Sequence, residues 1–212
     1  MPKRIPRLVR TEDTRRRLLE AARRVFLKRG WAATSLEMIV REAGLTKGAV
    51  YSRFRSKADL FLALLEERIA QRIADVQTVA VGEHGPVGLA AAMGRRWDDD
   101  MPAELAWHRV GIEFRLHASR VPALNRRYAA LHARLRHAIA AIIERETSEA
   151  GEPLAIPADD LARASMALLT GMVLERCADG DAYPEYLNET INRAVMLGLP
   201  AAAAPRLRRA AR

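Results

Sequence analysis

Apolar residues recur every three or four positions along most of this chain, and runs in which apolar and polar residues alternate are nearly absent. A period near 3.6 residues is that of an amphipathic helix, which turns one apolar face toward a core. Alanine, leucine, arginine and glutamate, which favour helices, dominate the composition. The pattern therefore predicts an all-α protein.

The first helix is predicted from about Thr14 to Lys28, and Gly30 is expected to end it. A second, short helix is predicted to start at residue 34 or 35. There the letters TSLE match a capping box, in which a hydroxyl accepts a backbone N–H and the glutamate reaches back. The apolar face of the first helix is expected to comprise Leu18, Leu19, Ala22, Val25 and Phe26.

Gly44 is expected to break the second helix, and Thr46 is a good N-cap for a third helix from Lys47 to Phe54. A long fourth helix should open at Ser56 by the same capping logic. Its apolar stripe is predicted to be Phe61, Leu65, Ile69, Ile73 and Val76.

Loops are predicted at 82–88 and 151–157, where glycine and proline concentrate. The remaining helices are predicted at Pro86–Asp100, Ala103–Ser119, Pro122–Glu149, Ala158–Ala178 and Pro184–Leu197. These boundaries suggest an N-terminal domain at 1–57, a helical body at 58–200 and a disordered basic tail at 201–212.

Charge is distributed unevenly along the chain. Residues 1–57 hold 16 Lys or Arg against 5 Asp or Glu, whereas residues 58–205 hold 15 against 21. Four more arginines lie in the last seven residues. A basic head on a mildly acidic body suggests a partner that is a polyanion. A basic face that is merely solvated is the alternative.

Composition also excludes several classes of protein. No run of eighteen apolar residues predicts a membrane span, and the basic start lacks the apolar core of a secretory signal, so a cytoplasmic protein is expected. The single cysteine, Cys177, excludes an internal disulfide framework, and its apolar surroundings in the sequence predict a buried, inert thiol. Neither a metal nor another cofactor is expected, because Glu113 and His117 offer only two ligands at helical spacing.

Two short helices joined by a glycine-containing turn and backed by a longer helix form a helix-turn-helix, which places its second helix in the major groove of DNA. Gly44 suits the turn because left-handed backbone costs glycine little. Leu45, Val50 and Phe54 are expected to hold the third helix on the core. A solvated basic hairpin would explain neither the turn glycine nor the convergence of caps.

The remaining side chains near the turn are those that DNA recognition uses. Lys47 can reach a guanine edge or a phosphate, Ala49 a thymine methyl group, and Gly48 permits close approach of the backbone. Hydroxyls, amides and cations at the helix starts would bind phosphates. The residues predicted to contact DNA are Thr34, Ser35, Thr46, Lys47, Gly48, Ala49, Tyr51, Ser52, Arg53 and Lys57.

The segment TRRRLLEAARRVFLKRGWAATSLEMIVREAGLTKGAVYSRFRSKADLF resembles the DNA-binding region of the TetR/AcrR family of bacterial transcriptional regulators. The resemblance is close over about fifty residues and generic beyond them. It implies base contacts from Lys47 and Ala49 and phosphate contacts from Thr34, Tyr51 and Lys57. Members usually carry histidine at the position of Arg53, and serine is commoner at that of Thr46, so the resemblance does not fix the operator sequence.

The same resemblance implies that a helical body follows, which dimerises through its last two helices and holds a small-molecule pocket. Glycine inside a helix costs about 1 kcal/mol relative to alanine, so Gly171 needs a reason. A dimer interface supplies one, and close packing within the monomer is the alternative. The predicted interface comprises Ala164, Ala167, Gly171, Leu187, Ile191, Ala194 and Val195.

Candidates for the effector pocket are the large apolar side chains and the few polar groups of the middle helices. Each of them alone is more readily explained as a core residue than as a ligand contact. They are Trp97, Trp107, Phe114, His117, Tyr128, Met166, Thr170 and Met172.

The sequence therefore predicts a homodimeric repressor that reads a palindromic operator in double-stranded DNA and is released by an unidentified small molecule. Effector binding would move the fourth helix like a pendulum and bring the two heads out of register. An activator and an effector-independent DNA-binding protein are alternatives. An enzyme with an appended head is disfavoured, because residues 58–212 show no catalytic constellation.

Overall fold

The computed structural model describes residues 7–80, 85–151, 154, 156–179 and 186–197. Every regular element in these ranges is an α-helix, in agreement with the predicted all-α class. The elements are α1 (Arg7–Arg29), α2 (Leu36–Ala43), α3 (Lys47–Tyr51), α4 (Lys57–Ala80), α5 (Gly85–Ser119), α6 (Pro122–Ala150), α7 (Ala158–Ala178) and α8 (Tyr186–Leu197). None of the described helices is long and apolar enough to cross a membrane. The predicted tail, 201–212, lies outside the described residues.

Contacts divide the chain into two compact units, at 1–68 with 106–131 and at 69–105 with 132–212. The first unit therefore contains the helix-turn-helix and also the end of α5 and the start of α6. It extends well past the expected boundary at residue 57, since the second half of α5 completes its core. The two-domain division at 57 remains a prediction.

The core of the first unit is aromatic. The five predicted apolar residues of α1 are buried, as are Phe61 and Leu65 of the predicted α4 stripe. Ile69 of the same stripe is also buried but belongs to the second unit. Phe26, Phe61 and Phe114 are fully enclosed, and the rings of Phe61 and Phe114 have centroids 4.4 Å apart. Aromatic pairs of this kind add about 0.5–1.5 kcal/mol each beyond the area that they bury.

A separate aliphatic core holds the second unit together. Its buried members come from α4 to α7 and include Val76, Leu89, Ile139, Ile143 and Leu161. Ile73, also predicted for the α4 stripe, is half-buried. A buried leucine or isoleucine of this kind stabilises the fold by about 1.5–3 kcal/mol.

Four predicted boundaries are wrong. The first helix begins at Arg7 rather than at Thr14. The loop expected at 82–88 is helical from Gly85 onward, and its first residues, 82–84, lie outside the described ones. The two middle helices are one, since α5 continues through Pro102, where the loss of a single N–H donor does not end the helix. The third helix stops at Tyr51 rather than Phe54. The loop after α6 is confirmed where it is described, with Gly151 left-handed at φ 68°.

Candidate nucleic-acid interface

The helix-turn-helix is built around a left-handed glycine. Gly44 has φ 62° and ψ 34°, and its N–H donates to the Arg41 carbonyl at 3.2 Å. The N–H of Leu45 donates to the Val40 carbonyl at 3.3 Å. Thr46 then caps α3, its hydroxyl accepting from Ala49 N–H at 3.3 Å. The predicted roles of Gly44 and of Thr46 as a cap are confirmed.

One side of α3 holds the helix on the rest of the unit. Val50 is fully buried, while Leu45 and Phe54 are half-buried. The chain past the helix makes one more tight turn, in which the N–H groups of Arg53 and Phe54 both donate to the Val50 carbonyl. The three apolar residues of the turn and α3 therefore anchor the helix, as their spacing predicts.

The opposite side of α3 is open to solvent. Thr46, Lys47 and Gly48 are exposed, and Tyr51 is 45% exposed, although it is a large aromatic residue. Ala49 is half-buried. At five residues α3 is about 7.5 Å long, which fits end-on entry into a groove about 12 Å wide.

Ser52 and Arg53 are exposed, but both also hold the end of α3. The Ser52 hydroxyl donates to the Ala49 carbonyl at 3.1 Å, and one Arg53 nitrogen donates to the same carbonyl at 3.0 Å. A guanidinium carries five N–H donors, so Arg53 keeps several for a phosphate. Ser52 has used its only hydroxyl proton.

Tyr51 and Glu37 meet across the helix-turn-helix. The Tyr51 hydroxyl donates to the Glu37 carboxylate at 3.2 Å. Hydrogen bonds from the backbone N–H of Glu37 itself, from Ser35 and from Tyr51 lower the pKa of Glu37, while desolvation and then the Glu37 charge raise the pKa of Tyr51. Both groups thus keep their ordinary charges at neutral pH, and Tyr51 enters any DNA complex as a donor.

The capping box predicted at residues 34–37 is wrong. Ser35 is the N-cap of α2, and its hydroxyl accepts from Met38 N–H, so the third helical residue is a methionine that cannot reach back. Thr34 is 3% exposed, and its hydroxyl donates to the Gly30 carbonyl at 2.7 Å. Its side chain therefore belongs to the fold and is not available to a phosphate.

Lys57 was predicted to bind a phosphate, but the structure gives its ammonium other partners. It donates to the Trp31 carbonyl at 2.9 Å and to the Thr34 carbonyl at 2.7 Å, and it lies 4.5 Å from the centre of the Trp31 ring. Desolvation lowers the pKa of Lys57, partly offset by the charge of Glu113. In this state Lys57 holds the turn between α1 and α2.

Four of the predicted pocket residues belong to the first unit, three in its aromatic core and one at its rim. Phe114 is fully buried and stands 4.7 Å from the Trp31 ring, and Trp107 stacks on Phe61 at 5.6 Å. The Tyr128 ring lies 5.8 Å from Phe114, and burial raises the pKa of its hydroxyl to about 12. His117 is exposed at the rim, 5.2 Å from Trp31. Their contacts are those of a packed core, so the prediction of ligand contacts is not supported.

The other candidates belong to the second unit. Met172 is 2% exposed, Met166 packs against the aliphatic core, and the Thr170 hydroxyl donates back to the Met166 carbonyl at 2.9 Å. The side chain of Trp97 lies outside the described residues. The eight candidates are thus divided between two units, and no group of three metal-binding side chains occurs among the described residues.

The predicted interface residues of α7 form an uncovered stripe. Ala164, Ala167 and Gly171 are exposed, and a methyl group placed on Gly171 would meet no described residue within 4 Å. The described part of the chain therefore offers no close packing that would explain this glycine. Leu174 is 48% exposed and extends the stripe by one turn. The sequence did not predict it as part of the interface, because a leucine in a helix is usually a core residue. Cys177 is also exposed, so the prediction of a buried thiol is wrong.

The predicted residues of α8 are less uniform than those of α7. Leu187 and Ile191 are half-buried, and Ala194 is exposed. Val195 packs against the aliphatic core and so contributes mainly to the fold of its own unit.

Two family models match the chain in succession. The model "Bacterial regulatory proteins, tetR family" matches residues 18–64, and the model "BetI-type transcriptional repressor, C-terminal" matches residues 89–199. The first covers α2, α3 and the core-facing part of α1, which together form the surface described above. The second covers just over half of the chain.

Two relatives by sequence and one solved structure are similar to this chain in the same regions. The HTH-type transcriptional regulator TtgR of Pseudomonas putida is 49% identical over 55 residues, and the chain spans about a quarter of its length, 26%. The HTH-type transcriptional repressor AcnR of Corynebacterium glutamicum is 33% identical over 101 residues, 48% of each chain. FadR of Bacillus subtilis, solved in complex with stearoyl-CoA, shares the fold with a TM-score of 0.69 at 14% identity, over 87% of this chain and 99% of that one.

Proposed function

The chain belongs to the TetR family of bacterial regulatory proteins, and from this premise we propose that it is a homodimeric repressor of transcription. In this proposal two copies of α3 bind one palindromic operator, and a small molecule releases them from it. Because its partner would be chromosomal DNA, the proposal places the protein in the cytoplasm.

The observation that carries the proposal is the open face of α3. A cation at Lys47, a glycine at 48 and an exposed tyrosine hydroxyl at 51 stand together, while Val50 on the other side is fully buried. Exposing these groups on a short, firmly anchored helix serves no purpose in folding. It suits a helix end that enters the major groove and contacts base edges and phosphates.

Charge supports the same partner. Residues 1–57 contain 16 Lys or Arg against 5 Asp or Glu, and several of these cations lie on α1 and around α3. Each cation that neutralises a phosphate releases a counterion, so binding should weaken steeply as salt rises. The positive charge would thus supply affinity for any DNA, and Lys47 and Ala49 would supply the preference for a sequence.

The homodimer is supported by the stripe on α7. Ala164, Ala167, Gly171 and Leu174 recur three or four residues apart and are exposed, and small residues of this kind let two helices approach closely. A two-fold dimer would place two α3 helices about 34 Å apart, one turn of DNA. It would also give Gly171 the close neighbour that the described residues of one chain do not supply.

An effector is supported by the match to a family model for the body and by the fold shared with FadR, which holds stearoyl-CoA. The ligand of this chain would bind within the second unit, since the aromatic residues of the first are committed to its core. A coupling of about 1–3 kcal/mol would change operator affinity by roughly 5–150-fold.

Selection of bound genomic fragments tests the proposal. Fragments retained by the full chain should share an inverted repeat whose half-sites lie about 10 base pairs apart. Retained fragments without a common motif would favour an effector-independent, nonspecific DNA-binding protein instead. An activator would select the same kind of motif, but it would raise transcription from the neighbouring promoter.

A further inference from the structure

The turn between α1 and α2 is held by a carboxylate from a distant part of the chain. Glu113, on α5, accepts hydrogen bonds from Trp31 N–H at 2.8 Å and from Ala32 N–H at 3.2 Å. Both donors lie beyond the last turn of α1, where no helical carbonyl pairs with them. One carboxylate therefore fixes two successive peptide groups, which is a stronger restraint than either hydrogen bond alone.

Gly30 makes room for this contact. Its φ of 77° is left-handed, and a Cβ placed on it would lie 2.9 Å from one Glu113 carboxylate oxygen and 3.0 Å from the other. The glycine therefore has two roles: it reverses the direction of the chain, and it leaves the space that the carboxylate occupies.

The other side of the turn is held by a cation. Lys57 donates to the carbonyls of Trp31 and Thr34, and it is close enough to Glu113 for the two charges to attract. The Trp31 ring packs between Phe26 and Phe114, with centroids 5.7 and 4.7 Å away. Residues 30–34 are thus held by a carboxylate, an ammonium and an aromatic ring.

This turn leads directly into the DNA-facing helices. Thr34 closes it with a hydrogen bond to Gly30, and the next residue, Ser35, is the N-cap of α2. Because α3 follows α2 after the turn at Gly44, the orientation of the turn sets the direction of both helices.

We propose that Glu113 is a positioning residue for DNA binding: by holding the N–H groups of Trp31 and Ala32, it sets the orientation in which α2 and α3 meet DNA. The inference rests on the proposed function.

Removing the Glu113 carboxylate could change DNA binding in two ways, by misorienting α3 or by removing a negative charge, and the two can be told apart. Removing a negative charge from a DNA-binding unit should, by attraction alone, strengthen binding to every DNA. Misorientation of α3 should instead weaken binding to the operator, which needs base contacts in register, more than binding to random DNA. The two effects have opposite signs at the operator.

The test uses the full chain with Glu113→Ala, Glu113→Gln and a control, Val110→Ala. Val110 lies on the same helix and is 2% exposed, so its truncation loosens the core without removing the carboxylate. Affinities would be measured for a selected genomic duplex and a scrambled duplex, at a temperature at which thermal scans show every variant folded. Hydrogen exchange would report the amides of residues 31 and 32.

We expect Glu113→Ala to weaken operator binding about tenfold, which corresponds to a binding-competent fraction of roughly a tenth. Scrambled DNA should bind as well as before or slightly better, and exchange at residues 31 and 32 should accelerate. Glu113→Gln, which keeps one acceptor oxygen, should fall between alanine and the native residue. Val110→Ala should leave operator affinity unchanged.

Two results would overturn the inference: operator affinity that survives Glu113→Ala, or an equal loss in Val110→Ala. Failure of the proposed function is a separate outcome, because the native chain would then bind operator and scrambled DNA equally.

Discussion

Lys47 and Tyr51 share the open face of α3, but they differ in what they can distinguish. A lysine ammonium near a base edge meets different acceptors in different sequences, whereas a phenol that donates to a phosphate meets the same oxygen everywhere. Tyr51 already donates to Glu37 in the free chain and would exchange this acceptor for a phosphate. Truncating Lys47 should therefore change the preference between DNA sequences, whereas truncating Tyr51 should lower the affinity for all of them.

We expect Lys47→Ala to change the ranking of operator variants by about 1–3 kcal/mol at the base pair that it contacts. Tyr51→Ala should weaken binding to all sequences by a similar factor. Fluorescence anisotropy with duplexes altered one base pair at a time measures both effects. If the ranking of duplexes is unchanged in Lys47→Ala, the lysine reads no base.

Asp59 links pH to the stability of the first unit. Partial burial opposes its ionisation, but hydrogen bonds from Arg127 and Ser56 outweigh burial and lower the pKa of Asp59 below its ordinary value of 3.8. The Arg127 guanidinium lies 2.6 Å from the carboxylate. A carboxyl with a lowered pKa stabilises the fold above its unfolded pKa and loses this contribution as pH falls through the folded pKa.

Asp59→Asn should therefore lower the melting temperature at pH 7, and the difference from the native chain should shrink as pH falls below about 4. Thermal scans followed by circular dichroism at several pH values measure this. A difference that is constant with pH would mean that the charge of Asp59 does not contribute. Glu67→Gln is the matched control, since its pair with Arg15 is longer, at 3.6 Å, and more exposed.

Some site residues could be predicted from the sequence and others could not, for a physical reason. Gly44 and Thr46 act through backbone geometry and local hydrogen bonds, which a few neighbouring letters determine. Lys57 acts through a partner 26 residues away, and Glu113 through partners more than 80 residues away. From the sequence alone, both residues indicate only a charge.

Among the described helices, α3 is the shortest, and it is the helix that we propose to enter the DNA groove. Gly48 lies in its first turn, where a Cβ would meet no atom of the described residues within 4 Å. Stability therefore does not require glycine at this position. Close approach to DNA would explain it.

Gly48→Ala should raise the free energy of unfolding by about 0.5–1 kcal/mol, since alanine favours a helix. It should at the same time weaken DNA binding, because the added methyl group holds the helix end away from the groove. Denaturant titration measures the change in stability, and binding to the operator measures the change in affinity. A stabilised variant with unchanged affinity would show that glycine serves no contact with DNA.

Helix boundaries were predictable where caps are local and wrong where continuity depends on packing. The start of α2 and the end of α1 follow from Ser35 and Gly30. By contrast, the residues around Pro102 read as a break, yet α5 continues through them. The sequence shows the hydrogen bond that the proline removes, but not that the helix continues without it.

At the scale of the whole molecule, the proposed function requires two copies of the chain. The exposed stripe on α7 is the surface that we expect them to share. Leu174→Glu should convert a dimer into a monomer, as measured by analytical ultracentrifugation, and weaken operator binding in parallel. Ala130→Glu on an exposed position of α6 is the control and should do neither. A dimer that persists in Leu174→Glu would place the interface elsewhere.

The most direct test of the account compares operator and scrambled DNA over a range of salt concentrations. We expect the native chain to bind the selected operator at least about a thousandfold more tightly than the scrambled duplex, with log affinity falling linearly against log salt for both. Equal affinity for the two duplexes at every salt concentration would contradict the central claim that α3 reads a DNA sequence.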